Sequence, residues 1–247
     1  AGCGTGQFIS SAHVLTAKGI TDCCKVANKN ECVVYTSDGR MYMASLVQAG
    51  GGTSNCKADA IAAQDNWAVL ELDSRNISIE RMNAGKFGLK GAGQKPSTTG
   101  LKRAGFGTLK ILTDKDVQEI KDAYAKWLKV VYPYNIFERN KEEKRGVNLK
   151  FGNYDIAKNG GAQYKTFLNE FKKSTGKDFI QTYLNDGTRL KAVNNCKITG
   201  GDTVFMHSCS AWTGDGGGAL LDSKNQIVGI EIYSDKVIDG YSKKIGL

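Results

Sequence analysis

The chain contains few residues of the types that bind metal ions. It has only two histidines, and none of its seven cysteines belongs to a Cys-x-x-Cys pair. Structural and catalytic zinc sites are built from Cys and His ligands at short, regular spacings. We therefore expect no metal site, and no motif indicates a cofactor.

Long apolar runs, internal repeats and low-complexity tracts are also absent. No apolar run approaches the roughly 18 to 20 residues that a membrane-spanning helix requires. The chain begins without the charged and apolar leader of a secretory signal peptide, so a signal has either been removed or was never present. With 247 residues, 40% of them hydrophobic and 24% charged, the composition is typical of a globular protein with a sizeable core.

The charge balance is basic. The 34 Lys and Arg residues exceed the 25 Asp and Glu residues, which gives a net charge of +9. Such a charge favours anionic partners, including polyanions and acidic glycans. The lysines are scattered, however, and no nucleic-acid-binding motif occurs, so we expect no specific nucleic-acid partner.

The cysteines are better explained by disulfides than by metal binding. Disulfides persist in oxidising compartments, so the sequence predicts a secreted or extracellular protein. Because the count is odd, one thiol is unpaired or is bonded to another chain or to a segment absent from this sequence. The seven cysteines are Cys3, Cys23, Cys24, Cys32, Cys56, Cys196 and Cys209.

Short β-strands are predicted at both ends of the chain. Up to about Leu112, alternating or β-branched runs are separated by turns rich in Gly, Asn, Asp and Ser, and similar runs return from about Leu190. Many short strands at close spacing indicate a barrel or a sandwich.

Two helices are predicted between these regions. Thr113 or Asp114 can cap the first, and Pro133 ends it; its apolar residues recur at helical spacing. The second runs over residues 162–173 and carries an aromatic stripe. Such stripes are usually core contacts rather than cofactor sites.

Three stretches, in chain order, resemble the catalytic blocks of the chymotrypsin/trypsin-like serine proteases. They read GTGQFISSAHVLTAKGI, DNWAVLEL and CSAWTGDGGGALL, the last followed by IVGIE. The resemblance implies an all-β fold of two six-stranded β-barrels, a chymotrypsin-like double β-barrel with a cleft between them. We expect the first barrel in residues 1–100 and the second in residues 101–247, with a helical insertion at residues 113–186.

The same resemblance implies a disulfide between Cys196 and Cys209. The pattern of Cys196 followed by His207, Ser208 and Cys209 is similar to bacterial-type and glutamyl-endopeptidase-like branches of the family, where two such cysteines commonly bond.

The matched blocks lack all three catalytic side chains. Gly19 stands at the position of the histidine, Asn66 at that of the carboxylate and Gly216 at that of the serine. A triad needs a hydroxyl nucleophile, an imidazole base and an orienting carboxylate. Asp65 cannot replace Asn66, because a shift of one residue in a strand points the side chain to the opposite face.

The two histidines are not expected to replace the missing base. His13 lies six residues before Gly19, and His207 lies nine before Gly216. We interpret His13 as structural and His207 as packing beside Cys209.

By resemblance, remnants of the substrate site remain. Gly214, Asp215 and Gly216 form the oxyanion-hole segment, in which Gly214 and Gly216 can present backbone N–H groups. The specificity-pocket remnant consists of Ser210, Trp212, Ile232, Tyr233 and Ser234. The last three form the strand edge that pairs with bound peptide, and a neutral Ser210 predicts no preference for Lys or Arg.

The usual ion pair of Asp215 with an activated amino terminus is not expected. Ala1 stands only two residues before Cys3, the residue next to the first matched block, whereas the family has about two dozen residues there. The first barrel therefore has an open edge, or a missing segment or partner strand fills it.

These features predict a pseudoprotease, a catalytically inactive homologue that acts by binding a protein, such as a decoy or a modulator of proteolysis. Two alternatives stay open. One is an active serine endopeptidase in an inactivated form or with other catalytic residues, and the other is a basic protein that binds glycans or other anions.

Overall fold

The structure is a computed structural model of the 247-residue chain. It describes residues 4–22, 31–52, 65–73, 75, 77, 87–89, 97–107, 113–145, 161–184, 191–201, 204–209, 214–236 and 241–246. For residues 233–236 and 241–246 the description is limited to the backbone.

The first half of the chain forms a five-stranded antiparallel sheet. Its strands are β1 (Gly6–Phe8), β2 (His13–Thr16), β3 (Glu31–Tyr35), β4 (Met41–Ala49) and β5 (Ala68–Leu72). Their order in the sheet is β1-β2-β5-β4-β3. Alternation places Val14, Leu70 and Leu72 on the face that forms the core of this sheet. Within the described residues, β1 and β3 are the edges of the sheet.

The second half forms a seven-stranded antiparallel sheet. Its strands are β6 (Leu101–Gly105), β7 (Lys191–Cys196), β8 (Ile198–Gly200), β9 (Val204–His207), β10 (Ala219–Leu221), β11 (Ile227–Lys236) and β12 (Tyr241–Gly246). Their order is β7-β6-β10-β11-β12-β9-β8. Leu101, Leu220 and Val228 form its core together with the disulfide-bonded Cys196 and Cys209.

The helices are α1 (Lys18–Thr21), α2 (Asp114–Val131), α3 (Ile136–Arg145), α4 (Ala162–Thr175) and α5 (Phe179–Tyr183). All but α1 lie between β6 and β7, and these two strands pair directly with each other. The four later helices are therefore an insertion into the second sheet.

The insertion has an aromatic core of its own. Phe167 and Phe171 of α4 are fully buried against Tyr124 and Trp127 of α2 and against Phe179 of α5. Edge-to-face contacts between the rings are the arrangement that their charge distribution favours. Thr113 caps α2 in a capping box with Asp116, and Gly176 ends α4 in the left-handed conformation.

The expected fold class is confirmed: the chain is mostly β-sheet, with two antiparallel sheets. The strands number five and seven in the described residues, rather than six in each barrel. The two predicted helices are confirmed, whereas α1, α3 and α5 were not predicted. Helix α3 escaped prediction because its sequence IFERNKEEKR has no apolar stripe beyond its first turn.

The predicted disulfide between Cys196 and Cys209 is present, and Cys32 is disulfide-bonded as well. The fate of the odd cysteine lies outside the described residues. In the described part of the chain, no helix is long and apolar enough to cross a membrane. No three or more His, Cys, Asp or Glu side chains there are grouped so that they could hold a metal ion.

Candidate functional site

The positions predicted for the histidine and the carboxylate of a triad meet at the end of the first sheet. Strand β2 runs into the short helix α1, which contains Gly19, and Asn66 lies two residues before β5, the neighbour of β2. The backbone N–H of Gly19 donates a hydrogen bond of 2.9 Å to Oδ1 of Asn66. Asn66 is only 2% exposed. An amide side chain that accepts a backbone N–H therefore joins the two positions.

Gly216 lies against the same region of the first sheet. Its carbonyl accepts a hydrogen bond of 2.8 Å from the backbone N–H of Thr5, close to β1. A Cβ at Gly216 would lie 3.5 Å from Cδ1 of Ile20, which is ordinary van der Waals contact. Ile20, the residue after Gly19, therefore lies beside the Gly216 position, and the side chain next to Gly216 is aliphatic.

Lys18 points away from this cluster. Its ammonium group donates a hydrogen bond to the carbonyl of Gly52 and lies 3.9 Å from the carboxylate of Asp22. Although Lys18 is buried, its charge is satisfied by these two partners.

Asp215 is held by an arginine of the second sheet. Its carboxylate lies 2.9 Å from Nη1 of Arg103 on β6, and both side chains are at most 1% exposed. The backbone N–H of Gly107 donates a second interaction, a hydrogen bond of 2.8 Å to Oδ1. A Cβ at Gly105 would lie 2.7 Å from the same oxygen, so only glycine leaves room for the pair.

The glycines after Asp215 are fixed by backbone hydrogen bonds. Gly217 donates its N–H to the carbonyl of Glu231 at 2.6 Å, and Glu231 donates its own to Gly218 at 2.8 Å. Gly217 has φ +81°, and a Cβ there would overlap Thr16 and Thr5. The glycine-rich turn therefore bridges the two sheets.

The amides of Gly214 and Gly216 are not used inside this turn. Among the described residues, neither N–H donates a hydrogen bond, whereas the carbonyl of Gly214 accepts one from the Thr5 hydroxyl at 2.7 Å. Two such N–H groups are the elements from which an oxyanion hole is built. The oxyanion-hole remnant at Gly214, Asp215 and Gly216 stays a prediction.

Strand β11 extends past its neighbour on one side. Its last residue paired with β10 is Ile230, while pairing with β12 continues to Lys236. In the described part of the chain, no strand pairs with residues 232–236 on the β10 side. Backbone groups of an unpaired strand can pair with an added peptide.

The specificity-pocket prediction is only partly covered by the structure. Ile232 is buried between the sheets with Ala17 and Ile230. Tyr233 and Ser234 lie on the extended part of β11, and their side chains are not described. Ser210 and Trp212 lie outside the described residues.

His207 has a buried partner that the sequence did not indicate. The backbone N–H of Cys209 donates to its Nδ1 at 3.2 Å, so the ring proton is on Nε2, which lies 2.8 Å from Oε2 of Glu231. Both side chains are at most 3% exposed. The predicted packing beside Cys209 is observed, and the pair with Glu231 adds a link between β9 and β11.

His13 contacts a hydroxyl at the other end of β2. Ser10 accepts the backbone N–H groups of Ala12 and His13, so its own proton goes to Nδ1 of His13 at 2.7 Å. Nε2 of His13 lies 3.7 Å from the carboxylate of Glu71, its cross-strand neighbour on β5.

This second cluster lies apart from the site around Gly216. His13 and Thr16 are three residues apart on β2, which is about 10 Å, and it is the Thr16 end that contacts Gly217. Ser10 Oγ is also occupied as the acceptor of two backbone amides. The arrangement caps the turn between β1 and β2, in agreement with the structural role predicted for His13.

Comparison with known proteins gives likenesses in structure only. No protein-family model matches the chain, and no curated protein is significantly similar in sequence. A serine endoprotease from Yersinia pestis is similar, with a TM-score of 0.46 and 14% identity over 98% of this chain. The chain spans only 53% of that protein.

Two further solved structures are similar at the same level. A Glu endopeptidase has a TM-score of 0.47 and 16% identity over 98% of this chain and 79% of its own. The inactive form of the Rv3671c protease has a TM-score of 0.44 and 14% identity over 98% of this chain and 78% of its own. All three of these similar structures are proteases. Identities of 14–16% do not extend to activity or substrate.

Proposed function

We propose that this chain is a catalytically silent protease homologue that binds an extended segment of another protein in the crevice beside Gly216 and β11. It acts as a decoy or a modulator of proteolysis, and it works outside the cell. The disulfide between Cys196 and Cys209 supports an oxidising compartment.

The contact of Asn66 with Gly19 carries the proposal. Acyl transfer by a triad requires an imidazole that takes a proton from the nucleophile and a carboxylate that orients this imidazole. Here Oδ1 of Asn66 accepts a hydrogen bond of 2.9 Å from the backbone N–H of Gly19. Gly216 has no hydroxyl, and its nearest neighbour at the Cβ position is the Ile20 methyl group. These groups can neither attack a carbonyl nor transfer a proton.

Binding is supported by groups that do not depend on the triad. The unpaired side of β11 offers main-chain donors and acceptors. The amides of Gly214 and Gly216 belong to the glycine-rich turn, which is hydrogen-bonded to β11 through Gly217 and Glu231. Adding a strand to a sheet in this way supplies affinity through backbone hydrogen bonds without chemistry. The ion pair of Arg103 with Asp215 holds the turn in place.

A fluorophosphonate probe tests the absence of catalysis. This reagent labels activated serines, so the chain should remain unlabelled while an active serine protease treated in parallel is labelled. Stoichiometric labelling of the chain, or turnover of fluorescein-labelled casein, would contradict the proposal.

Fluorescein-labelled casein also tests binding, because casein offers extended segments. We expect the chain to raise its fluorescence anisotropy without releasing fragments. Gly216→Leu fills the space in front of Ile20 and should weaken binding, whereas Gly161→Leu, with open space around its Cβ, should not. Equal binding by both variants, or no binding by the unaltered chain, would refute binding in this crevice.

A further inference from the structure

The connection between α2 and α3 carries exposed apolar side chains. We use the name helical tip for residues 133–137, which read PYNIF. They comprise part of the connection after α2 and the first two residues of α3. All five are exposed, and the exposed fractions reach 96% for Tyr134, 75% for Phe137 and 59% for Ile136. Val130, at the end of α2, adds another apolar side chain with 51% exposed. Large apolar groups concentrated at one projecting point indicate an interaction site.

The helical tip is held in a defined conformation. Asn135 caps α3: its side chain accepts the backbone N–H of Glu138 at 3.0 Å, and its carbonyl accepts that of Arg139 at 3.1 Å. At the end of α2, the N–H of Tyr132 still donates to Leu128 at 2.9 Å. These bonds satisfy backbone groups at the end of α2 and at the start of α3. The backbone that carries the exposed apolar side chains is therefore ordered.

The exposure does not result from a shortage of core contacts in α2. Trp127 and Leu128, on the opposite face of the helix, are buried among the aromatic residues of the insertion. The core of the insertion is thus complete without the helical tip, and its apolar side chains are available to a partner.

The α2 side of the helical tip is basic. No acidic residue occurs from Ala123 to Phe137. Lys126 and Lys129 are exposed, and their spacing to Val130 places the three on one face of α2. Within the described residues, neither lysine pairs with a carboxylate. An anionic surface would complement this charge.

The shape and area of the helical tip distinguish between partners. One aromatic side chain buries about 150–250 Å², so the tip offers a few hundred Å², well below the roughly 800 Å² per partner of a stable protein interface. The interface of a lipid bilayer adapts to a convex tip, takes apolar and tyrosine side chains at its boundary, and attracts lysines when its lipids are anionic.

We propose that the helical tip docks reversibly on anionic membrane surfaces. Tyr134, Ile136 and Phe137 enter the boundary between headgroups and acyl chains, and Lys126 and Lys129 contact lipid phosphates and carboxylates. This docking is peripheral and does not depend on the proposed function of the crevice around Gly216, so either can fail without the other.

Co-sedimentation with vesicles tests the proposal. We expect the unaltered chain to bind vesicles of phosphatidylcholine and phosphatidylserine, to bind phosphatidylcholine alone weakly, and to dissociate as salt is raised. The triple variant Tyr134→Ser, Ile136→Asn, Phe137→Ser should bind at least about tenfold more weakly, since most of the inserted apolar area is lost.

Matched variants control for apolar area and for charge. Tyr35→Ser with Met41→Asn removes an exposed cross-strand pair of the first sheet and should leave binding unchanged. Lys126→Glu with Lys129→Glu should weaken binding to phosphatidylserine vesicles at least about tenfold. Lys197→Glu with Lys224→Glu, which changes the net charge equally at exposed sites of the second sheet, should weaken it far less.

Three outcomes would overturn the proposal. The first is no sedimentation of the unaltered chain with phosphatidylserine vesicles. The second is equal binding by the tip variant, with circular dichroism showing that all variants are folded. The third is self-association of the unaltered chain that the tip variant abolishes while vesicles have no effect, which would assign the helical tip to a protein contact.

Discussion

The guanidinium group of Arg103 lies 2.9 Å from the carboxylate of Asp215, and both are removed from solvent. Asp215 precedes Gly216, so this pair anchors the glycine-rich turn to β6. The cation that faces Asp215, Arg103, comes from within the second sheet and lies 112 residues earlier in the chain.

Removal of one charge of this pair should destabilise the fold strongly. Asp215→Asn keeps the shape of the side chain but leaves the Arg103 cation buried without a counter-ion, which costs about 3–5 kcal/mol. We expect that loss in the free energy of unfolding measured in urea.

The exposed pair of Arg75 with Asp73 provides the control, because the Arg75 side chain is 85% exposed. Asp73→Asn should reduce the free energy of unfolding far less than Asp215→Asn, because solvent screens an exposed ion pair. Equal losses for the two aspartates would show that the buried pair does not support the turn.

Gly216→Ser alone should not create an esterase or a peptidase. The new side chain fits, because a Cβ at this position lies 3.5 Å from Ile20. The serine would still have no imidazole to take its proton, since Gly19 offers only a backbone N–H that is bonded to Asn66. Loss of one triad member can cost nearly as much as loss of all three.

Hydrolysis of p-nitrophenyl acetate and labelling by a fluorophosphonate, each compared with the unaltered chain, are the measurements. Ser10→Ala in the Gly216→Ser background controls for the hydroxyl that His13 contacts. Labelling of Gly216→Ser that Ser10→Ala does not remove would prove that a base has been overlooked near Gly216.

Local patterns explain what was predictable from the sequence. The alternation of Val14 and Thr16 defined β2, and the helical spacing of Ile120, Tyr124 and Trp127 defined α2. Both patterns follow from burying one face of a regular element, so neighbours in sequence suffice to reveal them. The three triad positions were predicted from motif resemblance; in the structure Gly19 contacts Asn66, and Ile20 lies beside Gly216.

The contacts that were missed join residues distant in sequence. No sequence pattern near Glu231 indicates that it faces His207. The contact depends on the order β11-β12-β9 in the sheet, which brings the two residues to the same buried region. The same is true of Arg103, because nothing in its sequence neighbourhood distinguishes it from an exposed basic residue of a strand. Buried charges of this kind are recognised only once their partners are known.

Helix packing in the insertion should weaken at alkaline pH. Burial, together with a hydrogen bond of 2.6 Å to Glu119, raises the pKa of Tyr183 from about 10 to about 12. A group whose pKa is raised by folding contributes its full stability below the unfolded pKa and loses it as the pH rises through the folded pKa. The stabilisation by the neutral phenol is therefore complete below about pH 10 and declines towards about pH 12.

Tyr183→Phe isolates this phenol from the other tyrosines. The unaltered chain should lose on the order of 2 kcal/mol relative to this variant between about pH 9 and about pH 12, measured by urea unfolding followed at the helical signal. Tyr134→Phe is the matched control, since the Tyr134 side chain is 96% exposed. A stability difference between Tyr183→Phe and the unaltered chain that stays constant over this range would contradict the assignment.

Asn66 should protect the amide of Gly19 from hydrogen exchange. Asn66→Ala removes the acceptor of a buried bond and should cost about 1–3 kcal/mol, with faster exchange of the Gly19 amide measured by NMR. Thr113→Ala, which removes the capping side chain of α2, should cost about 1 kcal/mol and leave Gly19 protected. Because the two variants reduce global stability by similar amounts, only a local role of Asn66 predicts a selective effect at Gly19. Unchanged protection in Asn66→Ala would mean that packing of Ile20, rather than the side chain of Asn66, fixes the position of the missing histidine.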